Sequence, residues 1–152
     1  FKNAFTLAAD KAGKVLVAFE RNYRTQHLQV QLVPVPKACS KGLKSAFQSA
    51  AQVAGIELGV LGQEEEVWDV VNEGAPYFYV ELPDGTKLFT RQMRAFPLQF
   101  GREVLASSEI LNCEEKADWQ ACKLDKETET KLTKALQERF RPFDFTDADD
   151  SD

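Results

Sequence analysis

The first third of the chain carries apolar and polar side chains in an order that predicts one helix followed by two strands. Residues 1–12 repeat apolar side chains at helical spacing. Residues 14–20 form a nearly continuous apolar run, which predicts a buried strand. Residues 27–34 alternate polar and apolar side chains, the period-two pattern of a strand with one wet face. The two strands most simply form an antiparallel pair, closed by Pro34 and Pro36 because proline cannot donate to a ladder.

The rest of the chain carries the signals of further helices and of one hairpin. A helix is expected between Ser40 as its N-cap and Gly55 as its C-cap. The turn residues Pro83 to Thr86, flanked by apolar-rich runs, predict a β-hairpin. The remaining predictions are hairpin strands over 77–82 and 87–91, a short helix over 67–71 opened by three glutamates, a central helix from Pro97 and a last helix from Asp125.

The central helix combines an apolar face with a glycine and a charged pair. Pro97 has a preset φ that suits a first helical turn, and apolar residues recur at helical spacing as far as Leu111. Gly101 costs about 1 kcal/mol of helix propensity against alanine, so we expect another backbone to approach closely there. The Arg102 side chain projects from the flank of this apolar face, and its role has two interpretations. It either pairs with Glu103 to fix the helix orientation or faces a ligand.

Length and composition are those of an ordinary folded protein. The 152 residues suffice for one domain or two small halves sharing a core, and 43% hydrophobic content excludes wholesale disorder. The net charge of −5 argues against a protein that coats nucleic acid indiscriminately, but it leaves room for a local basic patch. Residues 147–152 are acidic and poor in apolar side chains, which predicts a disordered acidic tail.

The number and spacing of the cysteines indicate the cellular compartment. Three widely spaced cysteines without a C-x-x-C pair, and no evident secretory leader or membrane-crossing run, indicate a reducing compartment, the cytosol or the nucleus. Because the chain starts at Phe1 in mid-pattern, we expect it to be a piece of a longer protein.

His27, Gln29 and Gln31 form a polar row on the wet face of the second predicted strand, because alternate side chains of a strand project the same way. The row is either a plain structural face or a surface that hydrogen-bonds a phosphate or a base. A zinc site that combines His27 with the cysteines lacks the usual ligand spacing. We therefore predict no metal site and no cofactor.

The same strand resembles the active strand of the histidine-triad fold, in which H-x-H-x-H ends in an apolar-apolar-proline step. In that family the middle histidine attacks a phosphate. Here the matching position is Gln29, an amide that has no nucleophilic nitrogen lone pair. The resemblance therefore implies that the chain is not an enzyme, and a residual nucleotide hydrolase is the disfavoured alternative.

Five motifs spread over nearly the whole chain are similar to the paired C-terminal domains of the CwfJ family. They are Glu20-Arg21-Asn22, His27 to Pro36, Pro76 to Val80, Phe96 to Glu103 and Arg141 to Thr146. The run F-G-R-E-V followed by a terminal P-F-D-F-T is the most specific combination. The resemblance implies an α+β fold. Residues 1–60 would form the second half of a histidine-triad-like unit, and residues 61–146 a small α+β module with a β-hairpin and two helices.

CwfJ proteins belong to the late, intron-lariat spliceosome and are linked to lariat debranching. The resemblance thus implies a non-catalytic RNA-processing module of a pre-mRNA splicing factor, located in the nucleus. The implied partners are intron-lariat RNA and the lariat debranching enzyme or other spliceosomal proteins. The family also carries an upstream metallophosphoesterase-like domain and the first half of the histidine-triad fold. The upstream half of the parent chain is therefore a further expected partner, whereas a membrane is not.

Basic residues gather in two places, one beside His27 and the other after the predicted hairpin. Arginines interleaved with aromatic residues on a sheet can hold single-stranded RNA by backbone pairing and stacking, and the hairpin supplies Tyr77, Tyr79 and Phe89. A solvated hairpin above a core and a protein-docking surface without RNA contact are the alternatives. The candidate RNA-binding residues are Arg21, Arg24, His27, Gln29, Gln31, Arg91, Arg94 and Arg102.

Overall fold

A computed structural model describes residues 1–25 and 27–146, and the predicted tail over residues 147–152 lies outside them. The described residues form an α+β fold, as predicted. The strands are β1 (Lys14–Asn22), β2 (Val30–Pro36), β3 (Gly59–Val60), β4 (Tyr77–Glu81) and β5 (Lys87–Thr90). The α-helices are α1 (Lys2–Lys11), α2 (Leu43–Val53), α3 (Val67–Val70), α4 (Phe100–Ala106) and α5 (Lys126–Phe140). Among these helices, none is long and apolar enough to span a membrane.

All five strands belong to one antiparallel sheet in the order β2-β1-β4-β5-β3. The apolar run that predicted a buried strand forms most of β1, which pairs with β2 on one side and with β4 on the other. The predicted hairpin of β4 and β5 is confirmed. Strands from both predicted units therefore share one sheet, while the histidine-triad-like origin of the first unit stays a resemblance.

Alternation along the strands gives the sheet two different faces. The core face carries Val17, Phe19, Phe78, Val80 and Leu88, which belong to one apolar cluster with side chains of α2 and α4. The outer face carries Leu16, Ala18, Glu20, Tyr79 and Glu81. Helix α1 packs along β1 on this outer face, and Lys2 of α1 forms an ion pair with Glu81.

Gly101 is placed where a side chain does not fit. A Cβ atom there would lie 2.5 Å from two carbon atoms of the Phe19 ring, far inside van der Waals contact. The predicted close approach at this glycine is confirmed, but the approaching group is an aromatic side chain and not a backbone. Contact with the ring of Phe19 brings the start of α4 directly onto β1, and this contact shapes the candidate site described below.

The central helix is shorter than its apolar spacing predicts. It begins at Phe100, three residues after Pro97, and ends at Ala106, whereas the pattern extended it to Leu111. Beyond Ala106 the chain turns back on itself, and the N–H of Asn112 donates to the carbonyl of Ser107. The apolar spacing continues because Ile110 is also buried, although it is no longer on a helix.

The second strand starts later and ends later than its alternation predicts. Strand β2 begins at Val30, so His27 and Gln29 precede it and only Gln31 of the predicted polar row lies within it. Pro34 does not close the strand, because it pairs with β1 inside the ladder, whereas β2 and the ladder end at Pro36 as predicted. Prolines are tolerated there since β2 is an edge strand and needs donors on one side only.

The predicted helix caps are confirmed in part. Ser40 does not cap α2, because it lies inside a 3₁₀ turn over Lys37–Gly42 that leads directly into the helix. Gly55 follows the end of α2 with a φ of +69°, as expected of a residue that terminates a helix. Asp125 caps α5 as predicted, its side chain accepting a hydrogen bond from the N–H of Thr128.

Helix α5 is attached to the rest of the fold mainly at its C-terminal end. Phe140 stacks on Phe5 of α1 with 4.5 Å between ring centroids. The apolar stripe of the helix is otherwise uncovered, since Leu132 and Leu136 are each 57% exposed. Glu127 and Lys131 form an ion pair on its solvent side at 2.8 Å.

Candidate functional site

A cleft of about 370 Å³ opens on the core face, where β1 and β2 meet the start of α4. We call it the arginine cleft. Its polar wall is supplied by Arg21, Gln29, Gln31, Arg102 and the half-exposed Trp119. Its apolar floor is formed by Phe19, Phe78, Phe96 and Phe100.

The strand register explains why these polar side chains meet. Gln31 of β2 lies opposite Phe19 of β1, so both face the core side of the sheet. Arg21 is two residues further along β1 and faces the same way, opposite Phe78 of β4. Gln29 precedes β2 and lines the same cleft. Two of the predicted row of three polar residues thus lie beside Arg21, although the regular strand is shorter than predicted.

Arg21 is held against an aromatic ring and keeps an unused donor. Its guanidinium carbon lies 5.3 Å from the ring centroid of Tyr23, and that of Arg24 lies 5.2 Å from the same centroid. The Nε atom of Arg21 is buried and has no hydrogen-bond partner among the described residues. A buried donor without a partner is costly. The rest of the Arg21 side chain lines the cleft, where it is placed to meet an acceptor.

Arg102 ties the wall of the cleft to α4. Its Nε donates to the carbonyl of Ala117 at 2.8 Å, and its Nη2 donates to the carbonyl of Lys116 at 2.7 Å. The alternative in which Arg102 pairs with Glu103 is wrong, because the guanidinium forks onto backbone carbonyls instead. Arg102 lines the cleft as well, so it combines a structural position with a ligand-facing one.

Gln99 adds a second tie between α4 and the same wall. Its side-chain carbonyl accepts from the N–H of Trp119, and its amide nitrogen donates to Asp118. Hydrogen bonds from the N–H of Gln120 and from the Gln99 side chain hold the pKa of the Asp118 carboxyl below its usual range. The wall that presents Trp119 is therefore fixed from two positions at the start of α4.

The acidic groups of the sheet lie on its other face. No Asp or Glu is among the described residues that line the arginine cleft. On the outer face the hydroxyl of Tyr77 donates to Glu20 at 2.5 Å, and Tyr79 donates to Glu81. Burial, followed by the hydrogen bond to Glu20, raises the pKa of Tyr77 to about 12. The cleft is thus electropositive although the chain has a net charge of −5.

Not all predicted site residues reach the cleft. Arg24 stands beside it through Tyr23, whereas the exposed His27 is not among its lining residues. Arg91 donates to the carbonyl of Val70, and Arg94 lies exposed in a turn. The hairpin aromatics Tyr77, Tyr79 and Phe89 are not at the cleft either, because alternation places them on the outer face.

Two cleft residues were not among the candidates predicted from the sequence. Tyr23 stands between Arg21 and Arg24 in the sequence, so its closeness to two cations is a signal that the sequence already contained. No local pattern in the sequence places Trp119 beside β1. Within residues 1–25 and 27–146, no group of histidines, cysteines and carboxylates is arranged to hold a metal ion.

Two family models match the chain at separate ranges. A model described as a protein similar to CwfJ C-terminal matches residues 1–48, and one described as a protein similar to CwfJ C-terminus 2 matches residues 56–146. The chain belongs to the CwfJ family. The arginine cleft lies between the two matched regions. Strand β1 and Gln31 belong to the first region, and Arg102 and Trp119 belong to the second.

Curated CwfJ-type relatives align over most or all of the chain. The CWF19-like protein 1 homolog of Caenorhabditis elegans is 62% identical over the whole chain, which corresponds to 28% of that relative. CWF19-like protein 1 is 50% identical in Mus musculus and 48% identical in Homo sapiens, in each case over 88% of the chain and 25% of the relative. The chain therefore spans only about a quarter of the length of these relatives.

Proposed function

We propose that the arginine cleft binds single-stranded RNA as a non-catalytic module of a pre-mRNA splicing factor. The observation that carries this proposal is the cleft itself, in which Arg21, Gln29, Gln31 and Arg102 converge without a carboxylate. Guanidinium groups donate to phosphate oxygens in a forked geometry, and glutamine amides can both donate and accept. Arg21 takes part in none of the ion pairs of the described residues, so its charge is available to an incoming phosphate.

Membership of the CwfJ family supports the splicing context of this proposal. We infer that the RNA is the excised intron lariat and that the module acts in the nucleus. We infer further that it acts with the lariat debranching enzyme or with other spliceosomal proteins. These inferences rest on the family resemblance, whereas RNA contact at the cleft rests on the geometry.

The absence of catalysis is also part of the proposal. Covalent phosphoryl transfer needs an activated nucleophile, and the position that matches the histidine-triad nucleophile is Gln29, an amide in the wall of the cleft. We expect the purified chain to release no nucleotide from dinucleotides or nucleotide conjugates above the buffer background, measured by chromatography. Turnover that is lost in Gln29→Ala would contradict this expectation.

Replacement of Arg21 tests RNA binding directly. We expect Arg21→Gln to weaken binding of a short single-stranded RNA about 10-fold, measured by fluorescence anisotropy, because a charged hydrogen bond is worth about 1.5–3 kcal/mol. The slope of log affinity against log salt concentration should fall by about one for the lost phosphate contact.

Arg139→Gln is the matched control, because this exposed arginine of α5 lies outside the arginine cleft. It removes the same charge and should leave both affinity and salt slope unchanged. If both variants bind RNA like the wild type, the cleft is not the RNA-binding surface.

A protein-docking role without RNA contact is the second candidate. It is favoured by an apolar groove on the outer face, about 780 Å³ in volume, between β2 and the C-terminal half of α5. Leu32, Leu136 and Phe140 line this groove, and apolar surface of that kind is typical of protein contacts. Failure of the wild-type chain to bind RNA at low salt would favour this role over the first.

A further inference from the structure

The aromatic rings at the mouth of the arginine cleft are already in contact with cations. Arg21 and Arg24 lie 5.3 and 5.2 Å from the centroid of Tyr23, and the Nζ atom of Lys123 lies 5.0 Å from the Trp119 ring. Each distance is within the range of about 6 Å over which a cation and a ring attract one another. The rings therefore serve as supports for positive charge.

The three cations remain available to an anion. The described residues contain four ion pairs, and all four are formed by other lysines, so Arg21, Arg24 and Lys123 take part in none. A cation that rests on a ring keeps its hydrogen-bond donors, because the attraction to the ring uses its charge and not its N–H groups. The charges of Arg21 and Arg24 are thus positioned at the cleft outside any ion pair of the described residues, whereas Lys123 also acts on the Asp118 carboxyl and helps to lower its pKa.

Base stacking requires the opposite arrangement. A base that stacks on an aromatic side chain needs an open ring face, and such stacking underlies many single-stranded RNA sites. Here a base could stack on the ring face that a cation already occupies only by displacing a guanidinium from Tyr23 or the ammonium of Lys123 from Trp119. Phosphate oxygens approach the same cations without displacing anything.

We infer that the arginine cleft recognises the sugar–phosphate backbone of a single strand and that bases contribute little to its affinity. This inference rests on the proposed RNA-binding function and specifies which part of the RNA is bound. Tyr23 acts as a positioning residue that holds Arg21 and Arg24 at the cleft. The binding is accordingly independent of base sequence and steeply dependent on salt.

The first test compares short RNA strands of equal length that carry only uracil, only adenine, or no bases, using anisotropy of the wild-type chain. The expected result is that the three bind within about 2-fold of one another. An abasic strand that binds about 10-fold more weakly than the other two would overturn the inference while leaving RNA binding intact, since stacking is worth about 1–3 kcal/mol per base.

The second test replaces the ring of Tyr23. Tyr23→Phe keeps an aromatic support and should bind RNA like the wild type, whereas Tyr23→Leu should bind more weakly and with a smaller salt slope. Unfolding midpoints of both variants separate this effect from a loss of fold. Weaker binding of Tyr23→Leu with an unchanged salt slope would contradict the positioning role.

Tripolyphosphate, a probe with phosphates and no base, separates the inference from the proposed function. It should shift the indole N–H resonance of Trp119 and leave that of Trp68 on α3 unchanged. If tripolyphosphate binds there and no RNA does, the proposed function fails and phosphate recognition stands. If neither binds, both are overturned.

Discussion

Arg102 connects the cleft to the segment that forms its wall. Its guanidinium donates to two carbonyls of that segment and also contacts the Sγ of Cys122 at 3.6 Å. A side chain whose donors are committed to backbone carbonyls has fewer left for a ligand. At this site Arg102 therefore acts mainly by holding the wall, and Arg21 is the arginine that keeps a free donor.

Replacing Arg102 separates these two roles. We expect Arg102→Gln to lower the free energy of unfolding by roughly 2 kcal/mol, because hydrogen bonds from a charged donor are lost. RNA affinity of the folded variant should also fall, and its salt slope with it, since the wall that positions Lys123 loses two of its hydrogen bonds. Urea unfolding and anisotropy over a range of salt concentrations measure these quantities.

Lys116→Gln is a suitable control for Arg102→Gln, because it removes a cation from the same wall and keeps the carbonyl that Arg102 uses. It should unfold like the wild type. A reduced salt slope in Arg102→Gln with an unchanged free energy of unfolding would instead show that Arg102 contacts a phosphate directly.

For single residues, local chemistry predicted which positions have a special role but not which residues they contact. The conformational cost of Gly101 predicted a close approach, and the Phe19 ring is found there. The identity of that ring was not predictable, because Phe19 comes from a distant strand. Gln29 and Gln31 were predicted as a polar pair, whereas their proximity to Arg102 depends on how α4 packs on β1.

Among the elements, β2 departs most clearly from its prediction. In an antiparallel ladder each residue directs its N–H and C=O to the same side, so Pro34 and Pro36 direct their missing donors outward. Their half of the free edge is therefore poorly suited to pairing with another strand. Val30 and Leu32 lie at every second position before the prolines, so their N–H groups point the same way and still offer outward donors beside the apolar groove.

The open half of this edge predicts self-association of the chain. We expect concentration-dependent dimerisation in sedimentation velocity, because unpaired donors lie next to exposed apolar side chains such as Leu28, which is 79% exposed. Val30→Lys places a charge on the edge and should shift the equilibrium toward monomer.

A separate polypeptide with the upstream sequence that the family resemblance implies should likewise suppress this association if it is the natural cover. A wild-type chain that stays monomeric at high concentration, with the amides of residues 30–32 protected from exchange, would contradict the prediction.

Element by element, most of the fold was readable from local patterns. The hairpin and the capped start of α5 follow from turn and cap chemistry that acts within a few residues. The end of α4 was not readable, because Ile110 continues the apolar spacing while the chain has already left the helix. Ile110 is buried by tertiary contacts, and its position in the sequence happens to match the apolar spacing of a helix.

For the whole molecule, the distribution of charge matters more than its sum. Glu20 and Glu81 on the outer face are satisfied by tyrosine hydroxyls and by Lys2, and the core-face cleft is left with cations. A net charge of −5 is therefore compatible with a local site for a polyanion. The sequence alone could not show this separation, because the two faces alternate residue by residue along the same strands.

The pairing of β1 with β4 also unites the two regions that the CwfJ models match. Arg21 and the glutamines come from the first region, and the wall with Trp119 comes from the second. The arginine cleft thus requires both regions in one sheet. Arg91 and Arg94 were predicted from the sequence as RNA contacts, but they lie outside this cleft. They would extend the RNA-binding surface only if a bound RNA strand continues past the cleft.

The most direct test of the account is ultraviolet crosslinking of single-stranded RNA to the full-length parent protein, with the crosslinked residues mapped by mass spectrometry. Crosslinks are expected at Tyr23, Gln29, Gln31 and Trp119, all of which line the arginine cleft. Crosslinks confined to other parts of this chain, such as α5, or their absence from this chain altogether, would contradict it.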